Sequence, residues 1–198
     1  MSGASWSHVI ARPLVRPMIG TAIRPNHLTT ARLLTGVAAC VCLALGTHAG
    51  TWWGGWLWIL SAFLDRADGE LARLGNLSSR AGHLYDTYAD FAVNTLLFVA
   101  MGVGLRHSVL GAWAIPLGLL AGVSLLLGSI FSHLLERRSP PGTKAYAGRW
   151  GFDVEDALYL MAPLAWLGWL SPILVGAAAG ATAIMLLTAW RLHRLPAA

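Results

Sequence analysis

Five acidic residues gather in one short part of this sequence. The segment DRADGELARLGNLSSRAGHLYDTYAD, residues 65–90, holds five of the nine acidic residues and lies between two strongly apolar stretches. On a helix, side chains three or four positions apart share a face, so Asp65 and Asp68 lie together. Asp86 and Asp90 do the same on a following helix. If the two helices face each other along these stripes, four carboxylates meet.

Four carboxylates at close range require a cation, because like charges repel strongly in a low-dielectric setting. Oxygen ligands favour Mg²⁺, Mn²⁺ or Ca²⁺ over zinc. Gly69 and Gly82 lie in the same helices, where glycine costs roughly 1 kcal/mol relative to alanine. We therefore expect a bulky, phosphate-bearing ligand to approach the backbone there. Glu70 falls off both stripes and is expected to lie outside the site.

A simpler alternative is that each acid is only solvated at the end of a helix. That explanation suffices for one aspartate. It does not account for four aspartates at these offsets together with two glycines and an arginine, since carboxylates at a membrane edge are usually functional.

The composition places this segment in a membrane protein. The chain has 198 residues, of which 56% are hydrophobic and 12% are charged, and its mean hydropathy is +0.60. The formal charge is +5, but the basic residues are spread between apolar blocks, so we expect a lipid bilayer as partner and no nucleic acid. Cys40 and Cys42 lie in one apolar segment and are expected to be core residues.

Apolar runs of about 20 residues, the length that crosses roughly 30 Å of hydrocarbon, predict an all-α polytopic membrane protein with six transmembrane helices. The predicted spans are approximately 28–48, 52–73, 83–105, 109–134, 153–170 and 172–193. Residues 6–20 mix Arg and Pro with apolar residues and are expected to lie in the membrane interface. We expect one membrane domain, 1–198, with an N-terminal interfacial segment, 1–24, and a six-helix core, 25–198.

The basic residues predict the orientation. With six spans, every Lys and Arg except Arg106 falls on the side of both termini and of the aspartate segment. Cytoplasmic loops are enriched in Lys and Arg, so we expect this side to face the cytoplasm of a bacterial or archaeal inner or plasma membrane. Tryptophans near the opposite end of the second span are expected to anchor it at the interface, away from the site. They are Trp52, Trp53, Trp56 and Trp58.

The aspartate segment resembles the signature of the CDP-alcohol phosphotransferases, also called CDP-alcohol phosphatidyltransferases. It reads Asp65-x2-Asp68-Gly69-x2-Ala72-Arg73-x8-Gly82-x3-Asp86-x3-Asp90, which matches that signature at every fixed position and spacing. Residues 25–29, PNHLT, resemble the PNxxT element that commonly opens the first span of the family. The resemblance covers most of the chain, although beyond about residue 107 it is limited to the general layout.

This resemblance implies an integral membrane enzyme that transfers a phosphoalcohol group from a CDP-linked donor to an acceptor hydroxyl and releases CMP. It implies two divalent ions, Mg²⁺ or Mn²⁺, held by four residues, with Asp90 also the general base. These four, the motif aspartates, are Asp65, Asp68, Asp86 and Asp90. The residues implied for the CDP site are Gly69, Arg73 and Gly82, with Ser79, Asn26 and Thr29 as weaker candidates. The resemblance also implies a homodimer.

The reaction is expected to be a direct in-line displacement, because no Ser, Cys or His occupies a fixed position of the motif as a covalent nucleophile. The expected donor is CDP-diacylglycerol. The expected acceptor is a small polar alcohol or its phosphate, of the glycerol phosphate or inositol phosphate type. The same motif would also serve the reverse arrangement, in which a small CDP-linked headgroup passes to a lipid or polyol acceptor.

Four cations after the fourth span would bind a phosphorylated acceptor or, equally well, anionic lipid headgroups. They are Arg137, Arg138, Lys144 and Arg149. Three acids follow, which would cap the next helix, pair with these cations or bind acceptor hydroxyls. They are Asp153, Glu155 and Asp156.

A protein of another class, a divalent-cation transporter, could also place facing aspartates in its spans. Such a site would lie near the bilayer midplane and open to both sides. The aspartate segment lies toward one face and includes an arginine and two glycines suited to a nucleotide, which favours the enzyme.

Overall fold

A computed structural model describes residues 6–140 and 158–194, with side chains described from residue 10 onward. The α-helices in these ranges are α1 (Trp6–Val15), α2 (Pro25–Ala44), α3 (His48–Leu74), α4 (Arg80–Gly104), α5 (Ala114–Arg138), α6 (Met161–Trp166) and α7 (Leu170–Arg194). Short 3₁₀ helices cover Arg16–Met18, Leu105–His107 and Gly111–Trp113. The described residues contain no strand, and the predicted all-α class is confirmed.

Local signals fix where the helices of the aspartate segment begin. Pro25 occupies the first turn of α2, where a missing backbone N–H leaves no hydrogen bond unmade. The Thr47 hydroxyl accepts a hydrogen bond from the Gly50 N–H and so caps α3. The Ser79 hydroxyl accepts one from the Gly82 N–H at 3.0 Å and caps α4. This second cap sets the register of the α4 residues that follow.

The helices form a bundle in which α2 packs against both α3 and α4, and α5 packs against both α4 and α7. Its core includes Ala39, Leu43, Trp58, Leu97, Met101 and Leu174. At the crossing of α4 and α5, a Cβ on Gly102 would lie 2.6 Å from the Ala114 carbonyl oxygen and 3.1 Å from the Gly118 Cα. Glycine at 102 therefore permits a close contact between these two helices, as small residues do in membrane bundles.

Four helical segments in the described ranges are long and apolar enough to cross a membrane. They are Pro25–Ala44, Arg80–His107, Gly111–Arg138 and Leu170–Arg194. Helix α3 has 27 residues, but its tryptophans, glycines and charges lower its hydropathy, and it is not one of the four. The fifth predicted span, 153–170, lies partly outside the described residues, and α6 covers six residues of it. The four segments indicate a membrane protein, and the count of six spans stays a prediction.

The segment predicted to lie in the membrane interface folds as α1 and the 3₁₀ turn after it. Val15 packs against Ala67 and Leu71 of α3, and all three are buried. On an adjacent face of α1, Ile10 and Leu14 are exposed. Helix α1 thus has one apolar face on the bundle and a second apolar surface available to lipid.

The tryptophans of α3 separate into two groups. Trp52, Trp53 and Trp56 are exposed, as expected for an interfacial anchor. Trp58 lies on another face of the helix, is buried, and donates a hydrogen bond from Nε1 to the Leu158 carbonyl oxygen at 2.8 Å. The interfacial prediction is therefore wrong for Trp58.

Candidate active site

The C-terminal end of α3 and the N-terminal end of α4 bring three motif aspartates together. Carboxylate oxygens of Asp65, Asp68 and Asp86 all lie within 4.8 Å of one another. Asp68 is buried, whereas Asp65 and Asp86 are partly exposed. Asp90 is not a member of this group of three. It lies one turn further along α4, as its i+4 spacing from Asp86 requires.

A buried arginine of α2 links Asp90 to the other aspartates. Arg32 is 3% exposed, and its Nη1 lies 3.3 Å from Asp65 Oδ1 and 3.4 Å from Asp86 Oδ1. Its Nη2 donates a hydrogen bond to Asp90 Oδ1. The guanidinium thus offsets part of the repulsion among the carboxylates, and it does so with a rigid fork of donors.

A second residue of α2 holds the most buried aspartate. Thr29 Oγ1 donates a hydrogen bond to Asp68 Oδ2 at 2.7 Å, and both side chains are buried. Such a partner fixes the orientation of a carboxylate, which matters when that carboxylate binds metal. The PNHLT element therefore contributes its threonine directly to the aspartate group.

The donor atoms of the group fit a hard divalent cation. The group consists of carboxylates alone, and carboxylate oxygens suit Mg²⁺ and Mn²⁺ better than zinc. Oxygens from two helices lie close enough for one ion to contact all three side chains. Asp65, Asp68 and Asp86 are thus the residues that would hold a metal in this fold.

A small cavity of about 280 Å³ lies beside Asp68 and Asp86, between α2, α3 and α4. All six residues predicted for the CDP site line it: Asn26, Thr29, Gly69, Arg73, Ser79 and Gly82. A Cβ on Gly82 would lie 3.0 Å from Ser79 Oγ and 3.1 Å from Asn26 Oδ1. Glycine at this position keeps the wall of the cavity open, so that a ligand can approach the helix backbone.

A large cavity of about 830 Å³ has Asp65 and Asp90 at its polar end. Polar side chains of α5 line the same end at i, i+3, i+4 and i+7 spacing, and polar residues in a membrane helix are usually functional. They are Ser129, Ser132, His133 and Glu136. Trp58 and the α7 residues Ile173 and Ala177 line an apolar part of it. The large and small cavities share Arg73 in their linings and meet at the motif aspartates.

The described residues among those predicted to bind the acceptor do not line either cavity. Arg137 and Arg138 are exposed at the end of α5 and line neither cavity. Lys144 and Arg149 lie outside the described residues, as do the three acids at 153, 155 and 156. Their role in acceptor binding stays a prediction.

The motif does not predict two charged residues of this region, Arg32 and Glu70. Arg32 follows Thr29 by three positions and therefore shares its face of α2, a signal that could have connected it with the site. Glu70 does point away from the aspartates, but it is 2% exposed and accepts a hydrogen bond from Arg73, which lines both cavities. Glu70 precedes Arg73 by three positions, a spacing that could have predicted this contact, whereas nothing in the spacing indicates the contact of Glu70 with Arg12 of α1.

Solved structures of one enzyme have this fold. A crystal structure of phosphatidylinositol phosphate synthase from Mycobacterium tuberculosis with CDP-DAG bound has a TM-score of 0.75, covering 95% of this chain and 96% of that chain. A structure of the same synthase with manganese and citrate has a TM-score of 0.72, covering 94% and 90%. Both are 16% identical in sequence to this chain, so the likeness is one of fold.

Sequence comparison gives closer relatives. Proteins named "Putative cardiolipin synthase" from Mycobacterium bovis and Mycobacterium tuberculosis are 37% identical over 106 residues, which is 54% of this chain and 48% of theirs. The matched region spans about half the length of these curated relatives. The family model for CDP-alcohol phosphatidyltransferases matches residues 22–192, which include α2 to α6 and nearly all of α7. This protein therefore belongs to the CDP-alcohol phosphatidyltransferase family.

Proposed function

We propose that this protein is a metal-dependent CDP-alcohol phosphotransferase of phospholipid synthesis. It transfers a phosphatidyl group from CDP-diacylglycerol to a hydroxyl of a small polar alcohol or of its phosphate, and it releases CMP. The observation that carries this proposal is that Asp65, Asp68 and Asp86 converge where a small polar cavity meets a large cavity with an apolar part. The small cavity suits the nucleotide end of the donor, and the large one suits lipid chains and the acceptor.

Individual residues of the chain have separate roles in this reaction. The motif aspartates would hold two Mg²⁺ or Mn²⁺ ions, which polarise the pyrophosphate oxygens when bound. Arg32 orients the Asp90 carboxylate toward the large cavity. Asp90 accepts the proton of the acceptor hydroxyl as general base. The hydroxyl oxygen then bonds to the phosphorus that bears the diacylglycerol, the bond from that phosphorus to CMP breaks, and CMP leaves in line.

Release of CMP is the measurement that tests this proposal. The purified protein in lipid nanodiscs is given CDP-diacylglycerol, Mg²⁺ or Mn²⁺, and single acceptors: glycerol, inositol, their phosphates, or a lipid with a hydroxyl in its headgroup. We expect CMP release with one class of acceptor and none after chelation of the metal. Absence of CMP from every CDP-linked donor, in protein shown to be folded, would exclude the enzyme.

The alternative direction of transfer has its own arm in the same assay. CDP-linked headgroups, such as CDP-glycerol, are supplied with diacylglycerol or a polyol as acceptor. CMP release in this arm, without release from CDP-diacylglycerol, would favour headgroup transfer. Metal content is measured on the same samples by elemental analysis, and we expect two divalent ions per chain when the donor is bound.

The membrane arrangement that goes with this function has six spans in one domain, with residues 1–24 in the interface and 25–198 as the core. Both termini and the motif aspartates face the cytoplasm, and two chains form a homodimer. Support comes from the apolar helices and from the placement of the basic residues. Labelling of single cysteines from either side of sealed vesicles tests the orientation, and the mass of the detergent-solubilised particle tests the dimer.

A further inference from the structure

Glu70 is the one acid of the aspartate segment that does not belong to the motif, yet it is among the most buried side chains described. Its side chain is 3% exposed, and each carboxylate oxygen accepts a hydrogen bond from a different arginine. Arg73 Nη2 lies 2.8 Å from Oε1, and Arg12 Nε lies 3.1 Å from Oε2. A buried carboxylate is costly unless it is paired, so this geometry depends on both arginines.

One of these arginines comes from α1, which is held by packing rather than by the salt bridge alone. Val15 contacts Ala67 and Leu71 of α3, and Ala11, one turn earlier on α1, is completely buried. Arg12 lies directly after Ala11 and is therefore presented to Glu70 at a fixed height along α3. The backbone of α1 is thus fixed by packing, and the Arg12 side chain, which is 47% exposed, reaches the Oε2 oxygen from it.

The other arginine, Arg73, belongs to the motif, and its position affects ligand binding. Arg73 lies over Gly69: a Cβ at that position would be 3.3 Å from Arg73 Nη2 and 3.4 Å from Nη1. Its side chain is 55% exposed, and it lines both cavities. An exposed arginine of this kind samples many rotamers, which costs conformational entropy when it must bind. The contact with Glu70 removes much of that freedom.

We propose that Glu70, held by Arg12 of α1, is a positioning residue that fixes the Arg73 guanidinium over Gly69 to receive the donor's phosphates. The inference rests on the proposed function and adds a role for α1 that the motif does not contain. The chain of contacts runs from α1 through Glu70 to Arg73, so the interfacial helix supports the donor site. Glu70 does not touch the donor, and its effect passes through Arg73.

The test compares three variants in nanodiscs by steady-state CMP release. Glu70→Gln keeps the shape but removes the charge, and we expect the donor KM to rise about tenfold, as for a weakened charge-assisted contact, with kcat changed by less than about twofold. Arg12→Ala should raise the donor KM by roughly threefold. Arg16→Ala removes a charge from the next turn of the same segment, where Arg16 is exposed, and should leave the donor KM unchanged.

A double-mutant cycle separates positioning from a purely structural role. In an Arg73→Ala background, Glu70→Gln should raise the donor KM no further, because the residue through which it acts is gone. An equal rise in both backgrounds, or an unchanged donor KM in folded Glu70→Gln protein that still turns over, overturns the positioning role alone. If the wild-type protein releases no CMP from any CDP-linked donor, the proposed function fails and this role falls with it.

Discussion

The two cavities are each lined by two of the motif aspartates, but they are built in different ways. The small cavity lies among helix ends, and residues between Pro25 and Asp86 line it. The large cavity extends from Asp65 and Asp90 between α3, α4, α5 and α7. The part of it that lies away from these two aspartates is apolar. The aspartate segment and the PNHLT element thus contain all the lining residues of the small cavity but only one end of the large one. This difference explains why the donor end of the site can be inferred from the motif and the acceptor cannot.

Arg32 links the aspartates of the small cavity to those of the large cavity. It contacts Asp86, which lines the small cavity, and Asp90, which lines the large one. It also contacts Asp65 from α3. A single buried cation therefore sets the relative positions of carboxylates with different tasks. The comparison of the cavities can be tested by changing residues that belong to one of them and not to the other.

The largest effect is expected at Asp90, on the large-cavity side. Asp90→Asn removes the general base but keeps the shape, so kcat should fall by about 10²- to 10⁴-fold. The donor KM should change little, because Asp65, Asp68 and Asp86 remain to hold the metal and the lining of the small cavity is unchanged. CMP release gives kcat, and equilibrium binding of CDP-diacylglycerol gives the donor affinity. Turnover within about threefold of the wild type would remove Asp90 as the base.

On the small-cavity side, the Thr29 hydroxyl is the next most sensitive group. Thr29→Val removes the hydrogen bond to Asp68 while preserving size, and loss of such a partner typically weakens metal affinity about 10- to 100-fold. Titration of Mn²⁺ into donor-free protein measures this affinity. Thr35→Val is the matched control, because its hydroxyl hydrogen-bonds to carbonyl oxygens of its own helix. Equal affinity losses in both variants would contradict a specific role of Thr29.

The sequence predicts the helices and the pairing of the aspartates within each helix because both depend on local periodicity. Spacing of three and four residues places Asp65 with Asp68 and Asp86 with Asp90, and the apolar runs match α2, α4, α5 and α7 to within a few residues. The sites of these side chains follow from rules that act over one or two helical turns. Their roles in binding metal and in catalysis stay predictions.

The sequence does not predict the contacts between segments that are far apart in the chain. Arg32 meets Asp86 and Asp90 across more than 50 residues, and Arg12 meets Glu70 in the same way. A basic residue near the end of a span is already explained by the enrichment of Lys and Arg on the cytoplasmic side. That explanation gives no reason to expect such a residue to form ion pairs with distant carboxylates. Trp58 differs from its neighbours for a similar reason, since only the packing of α3 decides which tryptophan is buried.

A smaller effect is expected when the small cavity is narrowed without removal of a polar group. Gly82→Ala places a methyl group about 3 Å from Ser79 Oγ and Asn26 Oδ1, so the donor KM should rise by roughly three- to tenfold while kcat for bound donor changes less. The control is Gly180→Ala on α7, where a Cβ meets nothing within 4 Å. A donor KM that rises equally in the two variants would show that helix stiffening, not the cavity, is responsible.

The smallest effect is expected at the polar end of the large cavity. His133 lines this end and lies against Phe91, with ring centroids 5.8 Å apart. His133→Leu keeps an apolar contact to that ring but removes both nitrogens, so the acceptor KM should rise by about two- to fivefold, the value of one neutral hydrogen bond, while the donor KM stays constant. His107→Leu, outside both linings, is the control. Weaker binding of CMP, which lacks the lipid chains of the donor, with an unchanged acceptor KM would contradict the assignment of the two cavities, because it would place the nucleotide beside α5 and the acceptor among α2, α3 and α4.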